Sequence, residues 1–122
     1  MNADNQMVIL VVDDIAININ LIKALLRKYP YEIVAATSGE QALQIAEERQ
    51  PDLILLDIMM PDMDGHKVLS RLKANPKTQH IKVAMQTAVA DEFSMSKAKE
   101  FGAVGYISKP IMLDKLLEVI GM

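Results

Sequence analysis

Five short, mostly apolar runs alternate with five segments of helical character along 122 residues. The runs are Met7–Val12, Glu32–Ala36, Leu53–Leu56, Ile81–Met85 and Val104–Ile107. They are too brief for buried helices. Most of them cluster Val, Ile and Leu without period-two alternation, the pattern of strands covered on both faces in a parallel sheet. Between them, Ile15, Ile19, Ile22, Leu26 and Tyr29 fall on one helical face that Pro30 ends. Ser38-Gly39-Glu40-Gln41 has the form of a capping box and opens a helix to about Arg49. Val68, Leu69 and Leu72 mark a third helix after Gly65. Ala90, Phe93, Lys97 and Phe101 form a thin stripe with Gly102 as its C-terminal cap, and Leu113, Leu116, Leu117 and Ile120 mark a last helix. Strands alternating with helices predict an α/β fold, a doubly wound parallel sheet. Right-handed crossovers leave few strand orders, and 2-1-3-4-5 opens a crevice at the carboxyl ends of strands 1 and 3.

Length and composition narrow the class. The chain fits one domain, 1–122, with its core over about 7–120. A content of 51% apolar and 24% charged residues suits a globular protein. Thirteen basic against sixteen acidic residues leave a net charge of -3, so no basic field invites nucleic acid. The absence of cysteine removes disulfides and thiolate metal sites. Met7–Val12 is too short to span a bilayer, and residues 1–6 lack the build of a signal peptide, so a cytoplasmic location without membrane contact is expected.

The polar residues collect where the apolar runs stop. The first run ends in Asp13-Asp14 and the third in Asp57; Thr87 follows the fourth and Lys109 the fifth. One sheet edge therefore receives three carboxylates, a hydroxyl and an ammonium. Two unit charges ~4 Å apart repel by about 4 kcal/mol at an effective dielectric near 20, and a cation or a proton relieves them. Oxygen donors without His or Cys favour a hard ion, Mg²⁺, with Mn²⁺ as the alternative. Metal, ammonium and hydroxyl around a carboxylate make a cradle for phosphoryl transfer onto that carboxylate. Spacing alone does not say which aspartate is the nucleophile.

Val11-Val12-Asp13-Asp14, the block Leu55-Leu56-Asp57-Ile58-Met59-Met60-Pro61-Asp62-Met63-Asp64-Gly65, Thr87-Ala88 and Gly105-Tyr106-Ile107-Ser108-Lys109-Pro110 together resemble the receiver domain of two-component response regulators, over about Met7 to Ile120. The resemblance implies a CheY-like, flavodoxin-like sandwich in which Asp57 is phosphorylated. It implies that Asp14 binds Mg²⁺ directly, Asp13 largely through water, and that Asp57 and the Met59 backbone carbonyl complete the protein ligands. By the same resemblance, Lys109 would pair with the phosphoryl group, Thr87 would move to hydrogen-bond it, Tyr106 would swing inward behind Thr87, and the Lys109–Pro110 peptide would be cis. The donor it implies is a sensor histidine kinase or histidine phosphotransfer protein. The output face it implies is the fourth helix, fifth strand and fifth helix, about 91–120, meeting a downstream effector. Dimerisation through the last helix is left open.

Other signatures fit these residues less well. Asp62-x-Asp64-Gly65 fails as an EF-hand at Met60 and Arg71. It fails as a haloacid-dehalogenase-type phosphatase because the strand has ended before Pro61. A flavodoxin proper would not set Asp13-Asp14 against a phosphate. Two functional rivals stand beside the switch: a small aspartyl-phosphate phosphatase, and a binding module that keeps the fold without the chemistry. The chain is expected to catalyse only its own phosphorylation and dephosphorylation, and apolar Met59 and Val89 suggest slow discharge. Gln86 stands where the family usually has an apolar residue, so its buried amide needs partners. His66 and His80 read as solvated helix-start and loop residues.

Overall fold

The computed structural model describes residues 6–88 and 92–121. Val89 and Ala90, to which the sequence assigned slow discharge and the start of a helical stripe, lie outside the described residues, as does position 91 of the output face. The strands are β1 (Met7–Val12), β2 (Tyr31–Ala36), β3 (Leu53–Asp57), β4 (Lys82–Thr87) and β5 (Gly105–Ser108). The helices are α1 (Ala16–Leu25), α2 (Gly39–Arg49), α3 (Gly65–Ala74), α4 (Glu92–Glu100) and α5 (Leu113–Ile120). The strands form one parallel sheet of order β2-β1-β3-β4-β5, as the alternation predicts.

Side chains along each strand divide between two cores. Leu10, Val12, Ile54, Leu56, Val83 and Met85 point to the face covered by α2, α3 and α4. Ile9, Val11, Leu53, Leu55, Ala84 and Ile107 point to the face covered by α1 and α5. Burial on both faces is the physical reason that these runs are mostly apolar and do not alternate. At the opposite edge from the polar cluster, Asp52 clamps Val8 from both sides of its peptide: Val8 N–H donates to Asp52 Oδ2 at 2.7 Å, and Asp52 N–H donates to the Val8 carbonyl at 2.8 Å.

Several boundaries differ from the sequence reading. Helix α1 ends at Leu25 rather than Tyr29, and exposed Ile15 precedes it as an N-cap without a side-chain bond. The residue before Pro30 is biased away from helix, and Tyr29 instead stacks on Tyr31 with ring centroids 5.9 Å apart. Ile19, Ile22 and Leu26 do form the buried face. Ser38 caps α2 as expected, accepting from Gln41 N–H, but the Gln41 side chain reaches Thr37 rather than Ser38. Strand β4 runs on to Thr87, two residues past the apolar stretch, because Gln86 and Thr87 still pair with β5. In α4 the inward residue is Ala98, and Phe93 faces solvent at 75% exposure, while Phe101, just past the helix, packs half-buried against the core. Gly102 caps α4 with φ of 99°, the left-handed region in which glycine is favoured. Among the described residues no helix is long and apolar enough to cross a membrane.

Candidate functional site

Asp13 follows β1 directly, and its N–H donates to the Ala36 carbonyl at 3.1 Å, extending the β1–β2 ladder by one bond. Its side chain is fully buried: Oδ1 accepts from Ile15 N–H at 3.0 Å and Oδ2 lies 2.9 Å from Lys109 Nζ. Asp57 is the last residue of β3, opposite Gln86 on β4, and is 4% exposed. Its Oδ1 lies 3.4 Å from the same Lys109 Nζ. Asp14 faces solvent. One carboxylate oxygen from each of Asp13, Asp14 and Asp57 lies within 4.8 Å of the other two.

Lys109 reaches this cleft because the chain after β5 is tied back, Lys109 N–H donating to the Thr87 carbonyl at 2.7 Å. The Lys109–Pro110 peptide is cis, as the resemblance implies. Thr87 is buried at the end of β4 opposite Ser108, and half-buried Tyr106 sits two residues earlier on β5, opposite Met85. The structure thus gathers Asp13, Asp14, Asp57 and Lys109 into one cleft, with Thr87 on the adjoining strand end and Tyr106 farther along β5. The Met59 side chain is 71% exposed, while its backbone N–H donates to the Asp57 carboxylate.

Three carboxylates against one ammonium leave the cleft with an excess of negative charge. Burial pushes the Asp57 carboxyl up to about 6, the Asp13 charge adds to that rise, and Lys109 and the Met59 amide pull the other way. A raised carboxyl is what an acidic cluster shows when one ammonium is too little to compensate it. Oxygen donors and unbalanced negative charge fit a hard divalent cation. Both Asp13 oxygens are already hydrogen-bonded within the protein, whereas the Asp14 carboxylate faces outward.

Three residues matter more than the sequence suggested. Gln86, the anomaly on β4, is buried, and its Nε2 donates to the Val12 carbonyl at 3.3 Å. Its own carbonyl accepts from Ile58 N–H at 3.1 Å, so Gln86 braces the ends of β1 and β3 beneath the cleft. His66 is not solvated. It is 5% exposed, with Nδ1 3.2 Å from Asp64 Oδ1 and Nε2 3.1 Å from the Ser94 carbonyl of α4. Its spacing of three from Leu69, which places it on the buried face of α3, was the available signal. Asp62 caps α2 from the β3–α3 loop: its carboxylate accepts from Gly39 N–H at 3.0 and 3.1 Å and from Glu40 N–H at 3.3 Å. No local pattern announces that contact.

Comparison with known proteins agrees with this geometry. The family model described as the response regulator receiver domain matches residues 9–121. The polar-differentiation response regulator DivK of Brucella ovis is 36% identical over 112 residues, covering 92% of this chain and 91% of DivK. Response regulator PleD of Caulobacter vibrioides is 45% identical over 103 residues, 84% of this chain; the chain spans 23% of the length of PleD. Among solved structures, the chemotaxis protein CheY4 of Vibrio cholerae superposes with a TM-score of 0.88 at 25% identity, covering 95% of this chain and 97% of that one. A CheY-like receiver domain from Methanospirillum hungatei superposes equally well, with a TM-score of 0.88 at 30% identity over 96% of this chain and 92% of that one. With sheet order, acidic cleft and family match in agreement, the chain belongs to the receiver domains of two-component response regulators.

Proposed function

We propose that this chain is a phosphorylation-controlled switch in which Asp57 takes a phosphoryl group from a phosphohistidine on a sensor kinase or phosphotransfer protein. The carrying observation is the meeting of Asp13, Asp14 and Asp57 oxygens within 4.8 Å, with Lys109 Nζ 2.9 Å from one carboxylate and 3.4 Å from another. Asp13, Asp14, Asp57 and the Met59 carbonyl would hold Mg²⁺. When bound, the ion offsets the negative charge that otherwise opposes a phosphoryl group in the cleft.

An Asp57 carboxylate oxygen attacks phosphorus, the P–N bond to the donor imidazole breaks, and its electron pair stays on that nitrogen, which then takes a proton. The nucleophile acts as the anion, so burial near Asp13 both activates Asp57 and limits it to pH values above its raised pKa. Once the carboxylate is an acyl phosphate, negative charge moves outward from Oδ1 to the phosphoryl oxygens, and Lys109 follows it. The Thr87 hydroxyl is a donor at the adjoining strand end. Repacking there passes to Tyr106, which lines a cavity of about 400 Å³ against Met95, Ser96 and Lys99 of α4. Helix α4 has one buried residue, Ala98, and so little apolar contact to hold it. The face over about 91–120 then meets an effector. The chain acts on itself alone and turns over no external substrate.

Incubation with acetyl phosphate and Mg²⁺ is expected to yield one acid-stable, base-labile phosphoryl group per chain, absent in Asp57→Asn. Equal labelling of that variant would refute the assignment, and repeated turnover of a phosphate ester would favour an enzyme instead. Mg²⁺ affinity should also depend on pH. Because Asp57 is raised to about 6 and must be ionised to bind, affinity should be flat above pH 7 and fall toward about tenfold per pH unit below 6. Titration calorimetry from pH 5 to 8 measures this, and a flat profile would remove Asp57 from the ligands.

A further inference from the structure

We infer that Asp62 is a positioning residue for the cation site, holding the Met59-bearing loop in place by capping the first turn of α2; this rests on the function proposed above. The loop from Ile58 to Asp64 joins β3 to α3. It is pinned at its base, where Ile58 N–H donates to the Gln86 carbonyl at 3.1 Å and Gly65 N–H donates to the Ile58 carbonyl at 2.7 Å. At its far side Asp62 carries the loop onto another helix, taking Gly39 N–H and Glu40 N–H across 23 and 22 residues of sequence.

The first N–H groups of a helix have no partner inside the helix. Ser38 takes one of them, from Gln41, and Asp62 takes two more. A carboxylate suits that place, since its hydrogen bonds are charge-assisted and the positive end of the helix faces it. The same bonds hold the Asp62 carboxyl below its usual range, the Gly39 amide first among the causes. Asp62 and Glu40 lie at the surface, so water can replace the carboxylate with little effect on folding. What water cannot replace is the tether.

A second contact points the same way. A Cβ added to Gly39 would lie 2.9 Å from Met63 Cβ and 3.0 Å from a Val68 methyl. The loop therefore sits directly on the bare backbone of the α2 N-terminus. Met59 lies three residues before Asp62, so slack at Asp62 reaches the peptide that faces Asp57. Outer groups that orient metal ligands are worth about tenfold or more in metal affinity.

Three variants separate anchoring from charge. Asp62→Ala removes both acceptor and charge, Asp62→Asn keeps an acceptor, and Gly39→Ala displaces Met63 with no change of charge. Anchoring predicts Mg²⁺ binding weakened about tenfold in Asp62→Ala and several-fold in Gly39→Ala, with Asp62→Asn near the parent. Calorimetric titration at pH 8 reads all three. Equal losses in both Asp62 variants with Gly39→Ala unchanged would make the effect one of charge and overturn the inference, as would Mg²⁺ affinity within twofold of the parent in every variant. Amide exchange of Gly65 in metal-free protein gives a readout independent of the ion: it should quicken in Asp62→Ala while Val11 in β1 stays protected. Unchanged Gly65 exchange overturns the anchoring role. A parent protein that binds no Mg²⁺ overturns the proposed function, and the exchange result then judges the tether alone.

Discussion

Asp57→Asn should be more stable than the parent protein at pH 8, by up to about 3 kcal/mol, and should lose that advantage by about pH 4. The carboxyl titrates near 6 in the folded chain against 3.8 when unperturbed. Between those values the folded state holds the proton more tightly than the unfolded state does. Stability therefore falls as pH rises through 3.8 to 6 and stays at its lower level above that window. A neutral amide of the same shape avoids the loss. Lys109 is not stranded by the change, since Asp13 Oδ2 remains 2.9 Å away. Urea unfolding at pH 4, 6 and 8 measures the effect. A variant that is destabilised at pH 8, or stabilised equally at pH 4, would mean that Asp57 is not held at a disadvantage in the native cleft. The chemistry this variant loses and the stability it gains would then share one origin, a buried charge kept for use.

Gly65→Ala should destabilise the protein by about 3 kcal/mol or more. A Cβ at position 65 would lie 2.3 Å from the Asp57 carbonyl oxygen and 2.7 Å from Ile58 Cα. Both are backbone atoms at the end of a central strand, and neither can rotate away as a side chain would. Relief requires α3 to lift from β3, stretching the 2.7 Å bond from Gly65 N–H to the Ile58 carbonyl. Because that bond closes the loop after Asp57, Mg²⁺ affinity should drop as well. Gly121→Ala is the control: its Cβ would meet nothing nearer than the Leu117 carbonyl at 3.5 Å, an ordinary contact. Thermal unfolding of the two variants tests the difference. Equal midpoints would show that the sheet and α3 are not fixed against each other at this point.

The sheet, its order and the four charged cleft residues were legible because they share one cause. Strands buried on both faces are mostly apolar, so charged residues collect where the strands end, and those ends lie side by side in space. Asp13, Asp14, Asp57 and Lys109 stand at such ends. His66 and Asp62 do not. His66 is buried because α4, 28 residues on, presents the Ser94 carbonyl to it. Asp62 is an exposed loop acid until α2 offers it two amides. Periodicity carries no word of either partner. Phe93 misled for the same reason, since an aromatic residue in a helical stripe looks inward until the packing shows Ala98 there instead.

The clamp of Asp52 on Val8 has a consequence for how the two acidic strand ends come to be level. A strand with one wet face reads its own alignment, since slipping by one residue would turn oil toward water. Strand β1 is dry on both faces, and sliding it by one would merely exchange Ile9 and Val11 for Leu10 and Val12, shapes of nearly equal appeal to either core. Greasy contact is thus a poor ruler for this pair of strands. The pair of hydrogen bonds between Asp52 and Val8, at 2.7 and 2.8 Å, supplies the zero mark from which β1 is counted against β3. Five residues further along each chain, that alignment sets Asp13 beside Asp57.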